Sequence, residues 1–276
     1  MNFGLYIGES TGLRVFENLI QKKINIKYVC TIDKSYKSKI SNICKKNSIP
    51  FFLNPKKNIK KILDLSTDID YILSIFSRFI IPNKILRLTK IYSLNVHPGL
   101  LPYYPGTNSI SGSLYNGEKF SGISIHLIKK KIDTGDICLV KKIKIKKNEL
   151  AINLWLRIMS LTPKLINKLI SNLIKKKFFL YKNDLKKKKF FPNFIPNKGK
   201  IDKNKKKKDL LKMYRASYYV PFKSTWGSLN FIYKKKKYFI KKLYPTISQT
   251  RYFIKKIRSK KFIITIENDK FEVIVR

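Results

Sequence analysis

The chain has 276 residues, 61 of them Lys or Arg against 16 Asp or Glu, which gives a formal net charge of +45. Such a length buries a core without covalent staples, and Cys30, Cys44 and Cys138 are too widely spaced to indicate a disulfide framework or a zinc site. No uncharged apolar run approaches bilayer-spanning length, and MNFGLYIGES has no basic segment followed by an apolar one, so the expectation is a soluble, cytoplasmic protein without membrane contact.

Apolar and amphipathic segments alternate along the first half, as strands joined by crossover helices do. NFGLYI at 2–7 reads as a strand, and the turn Gly8-Glu9-Ser10-Thr11-Gly12 leads into a helix carrying Leu13, Val15, Phe16, Leu19 and Ile20. A strand at 26–31, a helix near 35–46, a short strand at 49–53 and a helix near 57–65 continue the pattern. Strong strands follow at 69–76 and 91–97, separated by a short helix entered through Pro82. SGISIHLI from Ser121 and ICLVKKIKI at 137–145 read as two more. Leu150, Leu154, Ile158, Leu161, Leu165 and Leu169 then recur at spacings of three and four, one stripe of a long helix that Pro163 is expected to kink.

Residues 176–208 carry three lysine runs and read as a basic surface linker. A second unit at 209–276 opens with a helix over 209–217 and continues with antiparallel strands in 231–244 and 260–275, the last pair turning through Asn268-Asp269. The sequence therefore divides into an α/β domain at 1–175 with a mostly parallel sheet, the linker, and a small β-rich C-terminal domain. The charge ordinarily marks a polyanion partner. Here Lys rises together with Ile, Asn, Phe and Tyr, a composition that AT-rich coding also produces, so charge alone does not select nucleic acid.

The chemistry-bearing stretch is 93–139. Asn95 and His97 stand two apart at the end of a strand and so project from one face, at the carboxyl end of an open sheet where ligand crevices lie. Pro98, Gly99, Pro102, Pro105 and Gly106 bend the loop that follows. Both histidines of the chain fall in this stretch, and His126 precedes Asp133 by seven residues. An imidazole, a carboxylate and a side-chain amide together suit proton handling and oxyanion stabilisation. On spacing alone the same residues also read as a loop-capping Asn, a hydrogen-bonded His and a turn-forming Asp.

Asn95-Val96-His97-Pro98 with Leu101-Pro102, His126, and Asp133-Thr134-Gly135 resemble in order and spacing the 10-formyltetrahydrofolate-dependent formyltransferases. That family includes methionyl-tRNA, glycinamide ribonucleotide and sugar N-formyltransferases. The resemblance implies a Rossmann-like catalytic domain and an enzyme that needs no metal. Asn95 and a protonated His97 would donate to the oxyanion formed when an amine attacks the formyl carbon, and Asp133 would favour the charged imidazole and help remove the ammonium proton. It also implies a folate slot formed by Arg78, Phe79, Ile80 and Ile81 with Ile132, although Phe79 to Ile81 read equally well as core packing.

The acceptor is less marked. tRNA-directed members carry a Gly- and Arg-containing loop after the second strand, whereas here Thr31-Ile32-Asp33 runs straight into Lys34-Ser35-Tyr36. The loop Tyr104-Pro105-Gly106-Thr107-Asn108-Ser109 replaces their Arg-Gly-Ala pattern and looks more like the sugar-directed branch. The acceptor expected is therefore a nucleotide-linked amino sugar, with Tyr103, Tyr104 and Asn108 lining its pocket and Ser10, at the first helix, near its phosphate. Initiator methionyl-tRNA is the alternative, favoured by charge. Two further readings rank lower: a formate-releasing hydrolase, whose relatives usually carry an extra N-terminal domain, and a basic RNA-binding protein on a degenerate formyltransferase scaffold.

Overall fold

A computed structural model describes residues 1–201, 206–247, 253–266 and 269–275. Seven strands form one sheet: β1 (Asn2–Ile7), β2 (Asn25–Thr31), β3 (Phe51–Leu53), β4 (Tyr71–Ile75), β5 (Tyr92–His97), β6 (Phe120–Leu127) and β7 (Ile137–Lys144), in the order β3-β2-β1-β4-β5-β6-β7. β1 to β5 pair in parallel with one another, and β6 runs antiparallel to β5. All five residues of β4 are buried, Ser74 among them, as suits a central strand covered on both faces. The connecting helices are α1 (Glu9–Gln21), α2 (Lys37–Lys46), α3 (Ile59–Ser66), α4 (Asn83–Leu86), α5 (Ser109–Tyr115) and α6 (Ala151–Ile174), the last continuing through Pro163.

The chain leaves β1 towards β2 and β3 and returns to β4 on its other side, so the strand order reverses between β1 and β4, the place where such sheets open a crevice. Gly8 lets the two strand ends close up there. Its amide donates to the Ile75 carbonyl at 3.0 Å, and a Cβ would stand 2.3 Å from the Phe76 carbonyl oxygen.

By contacts the chain forms two compact units: residues 1–106, 122–143 and 157–188, and residues 107–121, 144–156 and 189–276. In the second unit α5 packs against α7 (Lys207–Ser217), and Trp226 is fully buried, its ring centroid 5.1 Å from Phe191 and 5.3 Å from Tyr115. The unit ends in a five-stranded antiparallel sheet of β8 (Asn230–Tyr233), β9 (Lys236–Ile247), β10 (Phe253–Arg258), β11 (Lys261–Ile266) and β12 (Asp269–Val275), ordered β10-β11-β12-β9-β8. Phe231, Phe262, Phe271 and Val273 form its buried face.

The sequence expectation for 176–208 needs correcting at several residues. Ile195 and Ile201 are buried, the Trp226 indole donates to the Pro192 carbonyl at 2.9 Å, and Tyr181 bridges Ile137. Single apolar residues scattered among lysines have no periodicity, so only tertiary packing marks them as inside. β10 was not anticipated either, since its lysines and arginine mask the alternation. Of the expected turn Asn268-Asp269, Asn268 lies outside the described residues, as do positions 202–205.

Candidate active site

β5 carries Asn95 and His97 on one face, and its antiparallel pairing with β6 places His126 directly opposite Asn95. Asp133 comes from the loop between β6 and β7, with φ at 53°, a left-handed value that Asp tolerates better than most residues. The loop lies so close to β6 that a Cβ on Gly135 would be 1.9 Å from the Leu127 carbonyl oxygen. The glycine of the Asp-x-Gly motif is thus a condition for Asp133 to reach inward.

Asp133 bridges both imidazoles. His97 Nδ1 stands 3.2 Å from Asp133 Oδ2, and His126 Nε2 stands 3.1 Å from Oδ1. The Gly106 amide donates to Oδ2 at 2.7 Å, and Asn95 Nδ2 lies 3.4 Å from Oδ1 and 3.2 Å from His126 Nε2. The outer ring nitrogens face carbonyls: His97 Nε2 meets Tyr104 at 2.8 Å, and His126 Nδ1 meets Leu127 at 2.8 Å. His97, His126 and Asp133 are buried, whereas Asn95 is half-buried. All of these residues belong to the first unit.

Burial opposes ionisation of Asp133. The His126 hydrogen bond, the two imidazole charges and the Gly106 amide outweigh it and hold the carboxyl well below the usual carboxylate range. For His97 burial wins. It pulls the imidazole below the ordinary histidine value, against the opposing pull of Asp133 and the Tyr104 carbonyl. This direction opposes the protonated ring that the sequence resemblance implies, whereas the acceptor at each nitrogen favours it. His97 does not face outward as an oxyanion donor, because both nitrogens are engaged within the protein.

The residues expected to form the folate slot divide by exposure. Ile81 is buried, and Phe79 stacks on Tyr6 with centroids 5.8 Å apart, while Ile80 (73% exposed) and Ile132 (59% exposed) present bare apolar side chains. Arg78 extends outward, 3.8 Å from Glu9. Among the acceptor candidates, Tyr103 is exposed, Tyr104 touches His97 through its backbone with its ring buried, and Asn108 accepts a hydrogen bond from Thr225 Oγ1. Ser10 sits in the first turn of α1, where the Glu9 amide already meets Asp33 Oδ2 at 3.2 Å. Burial, opposed by Arg78, raises the Glu9 carboxyl. Two carboxylates at this helix start disfavour the phosphate expected there. A cavity of about 330 Å³ along β7, lined by Cys138, Lys168 and Tyr181 among others, includes none of the cluster and does not mark the chemistry.

Three contributors escaped the sequence reading. His126 stood in the motif without a role, although pairing of β5 with β6 would have placed it. The Gly106 amide and the Tyr104 carbonyl are backbone groups and leave no residue-type signal.

A family model described as Formyl transferase matches residues 8–170, more than half of the chain. The chain belongs to the formyl transferase family. It is 32% identical to the methionyl-tRNA formyltransferase of Mycoplasmopsis pulmonis over 73% of each chain. It is 41% identical to the GDP-perosamine N-formyltransferase of Brucella melitensis over 90 residues, which cover 33% of this chain and 35% of that protein. This family member also shares the fold of the Helicobacter canadensis N-formyltransferase, solved with folinic acid and dTDP-3-aminofucose, at a TM-score of 0.72, 19% identity and 99% coverage of both chains.

Proposed function

We propose that the chain transfers a formyl group from 10-formyltetrahydrofolate to a primary amine, carried on a nucleotide-linked amino sugar. The observation that carries the reaction is the bridging of His97 and His126 by Asp133, with the half-buried Asn95 amide beside it. Asn95 is the most exposed side chain of the cluster, and an oxygen that gains negative charge at the formyl carbon competes for its Nδ2 hydrogens with Asp133 Oδ1 and His126 Nε2. His97, held below its ordinary pKa, takes up the ammonium proton of the attacking amine through a water, once the ring turns one nitrogen away from its protein acceptor. Asp133 and the Tyr104 carbonyl then accept from the two N–H groups of the imidazolium, which lowers the cost of a buried cation.

The donor set suits a reduced folate. Ile80 and Ile132 each leave apolar surface for a flat heteroaromatic ring to cover. The carbon unit is the folate's own; the residues here bind it, orient it and move a proton.

The acceptor reading rests on the short connection after β2. Asp33 donates its amide to Thr31 Oγ1 at 3.0 Å and accepts from the Ser35 amide at 2.9 Å, so the chain turns straight towards α2 with no room for the loop that tRNA-directed members insert. The net charge of +45 and the methionyl-tRNA formyltransferase relative favour initiator tRNA as second reading. Incubating the purified chain with labelled 10-formyltetrahydrofolate and either nucleotide amino sugars or methionyl-tRNA separates the two. Label in the sugar supports the proposal, and label in methionyl-tRNA alone replaces the acceptor. Salt-sensitive RNA binding without label transfer to any amine refutes the enzyme reading.

A further inference from the structure

Outside the cluster already described, one buried side chain is aimed at the catalytic loop. α6 ends at Ile174, and the chain returns to the edge of the sheet, where Tyr181 and Ile137 exchange two backbone hydrogen bonds of 2.8 Å. Two residues later Asn183 turns inward and is buried. Its Nδ2 donates to the Asp133 carbonyl at 3.0 Å and to the Gly135 carbonyl at 3.0 Å.

The orientation of this amide follows from its partners, since a flipped Asn183 would set Oδ1 against two carbonyl oxygens. Its actual Oδ1 is buried and has no hydrogen-bond partner among the described residues. A buried, unsatisfied oxygen is a cost that an apolar side chain would avoid. What Asn183 supplies in return is one NH2 that spans the carbonyls on either side of Thr134. Those carbonyls flank the left-handed Asp133 and the tightly packed Gly135, the two backbone features on which the carboxylate position depends.

We propose that Asn183 is a positioning residue for formyl transfer: its side-chain amide clamps the Asp133–Gly135 backbone and so holds the carboxylate in register with His97 and His126. This rests on the reading of Asp133 and His97 as the reacting pair. Asp133 contacts both rings at little more than 3 Å. A displacement of about 1 Å at a reacting group costs on the order of 100-fold in rate. Asn183 never meets substrate. Its effect passes entirely through Asp133.

The test uses the full chain, with 10-formyltetrahydrofolate and the amine that accepts label. Asn183→Leu keeps the number of side-chain heavy atoms, removes both donors and buries no unpaired charge. Amide hydrogen exchange over 132–136 is expected to accelerate at least tenfold, with exchange in β1 and β4 and the melting temperature little changed. Turnover is expected to fall roughly 10- to 100-fold at near-constant KM for the folate. The same change in an Asp133→Asn background should lower turnover no further, because the clamped group is already gone. Unchanged loop exchange, unchanged turnover, or an equal loss in both backgrounds overturns the clamp, the last marking a merely structural role. If Asp133→Asn alone turns over like the unaltered chain, the catalytic reading of Asp133 fails and takes the positioning role with it, even where the loop has loosened. That outcome is separate from failure of the clamp, in which Asp133→Asn loses turnover and Asn183→Leu does not.

Discussion

His97 Nδ1 lies 3.2 Å from Asp133 Oδ2 while its Nε2 faces the Tyr104 carbonyl at 2.8 Å, so a single buried ring has an acceptor at each end. Removing the ring's capacity to carry a proton is expected to abolish its part in catalysis while leaving the slot intact. His97→Gln should lower turnover roughly 100- to 10,000-fold, the range for losing a positioned acid-base group. Folate affinity, read by equilibrium binding, should change little. Turnover within threefold of the unaltered chain would remove His97 from the mechanism.

The same pair sets a direction for pH. The folded-state pKa of His97 is lowered by burial, so between the unfolded value, about 6.5, and the lower folded one the unfolded chain binds the extra proton. Stability from this group is complete above that unfolded value and declines as pH falls towards the folded pKa. The Asp133 carboxyl is also lowered, so its contribution is present above the ordinary Asp value, about 3.9, and is lost on further acidification. Chemical denaturation from pH 8 to 4 should show stability decreasing on the acid side, with the decrease below pH 6.5 reduced in His97→Gln. kcat/KM should decline over the same acid range, since a protonated His97 cannot accept the ammonium proton. Stability that rises on acidification would contradict the lowered His97 pKa.

Gly135 has no room for a side chain: its Cβ would meet the Leu127 carbonyl oxygen at 1.9 Å. Gly135→Ala must move the loop or β6, at about 1–3 kcal/mol by analogy with overpacked cores. Turnover should fall on the order of 100-fold as Asp133 leaves its place. An alanine variant with normal stability and turnover would show that the loop is not held as described.

All three thiols are buried, and burial raises each, Cys44 and Cys138 to about 12. At pH 8 a disulfide-exchange reagent should label essentially none of them in the native chain and all three in guanidinium, because the thiolate is the reacting form. Rapid native labelling of Cys138 would place it at a surface.

Much of the first sheet was legible because strand and helix periods differ, and a chain that alternates them has few ways to bury both faces. NFGLYI and the Leu and Ile stripe of α6 became elements almost where the pattern put them. The Asn95, His97 and Asp133 constellation was legible from spacing and family resemblance. The C-terminal unit was less so: β10 hides its alternation under Lys and Arg, and Lys234-Lys235 makes the β8–β9 turn with φ of 45° and 62°, where Asn-Gly is the usual signal.

The sequence by itself determined residue types, their periodicity and their order along the chain, and these sufficed for fold class and family and singled out Asn95, His97 and Asp133 as candidates. Only the tertiary structure decided that His126 pairs opposite Asn95, that the Tyr104 carbonyl and Gly106 amide complete the cluster, and that Asn183, within a lysine-rich stretch, reaches the Asp133 loop. The physical reason is that backbone donors and long-range register carry no residue-type signature. Their positions follow from how strands pair and loops pack, and burial then sets the charge on His97 and Asp133.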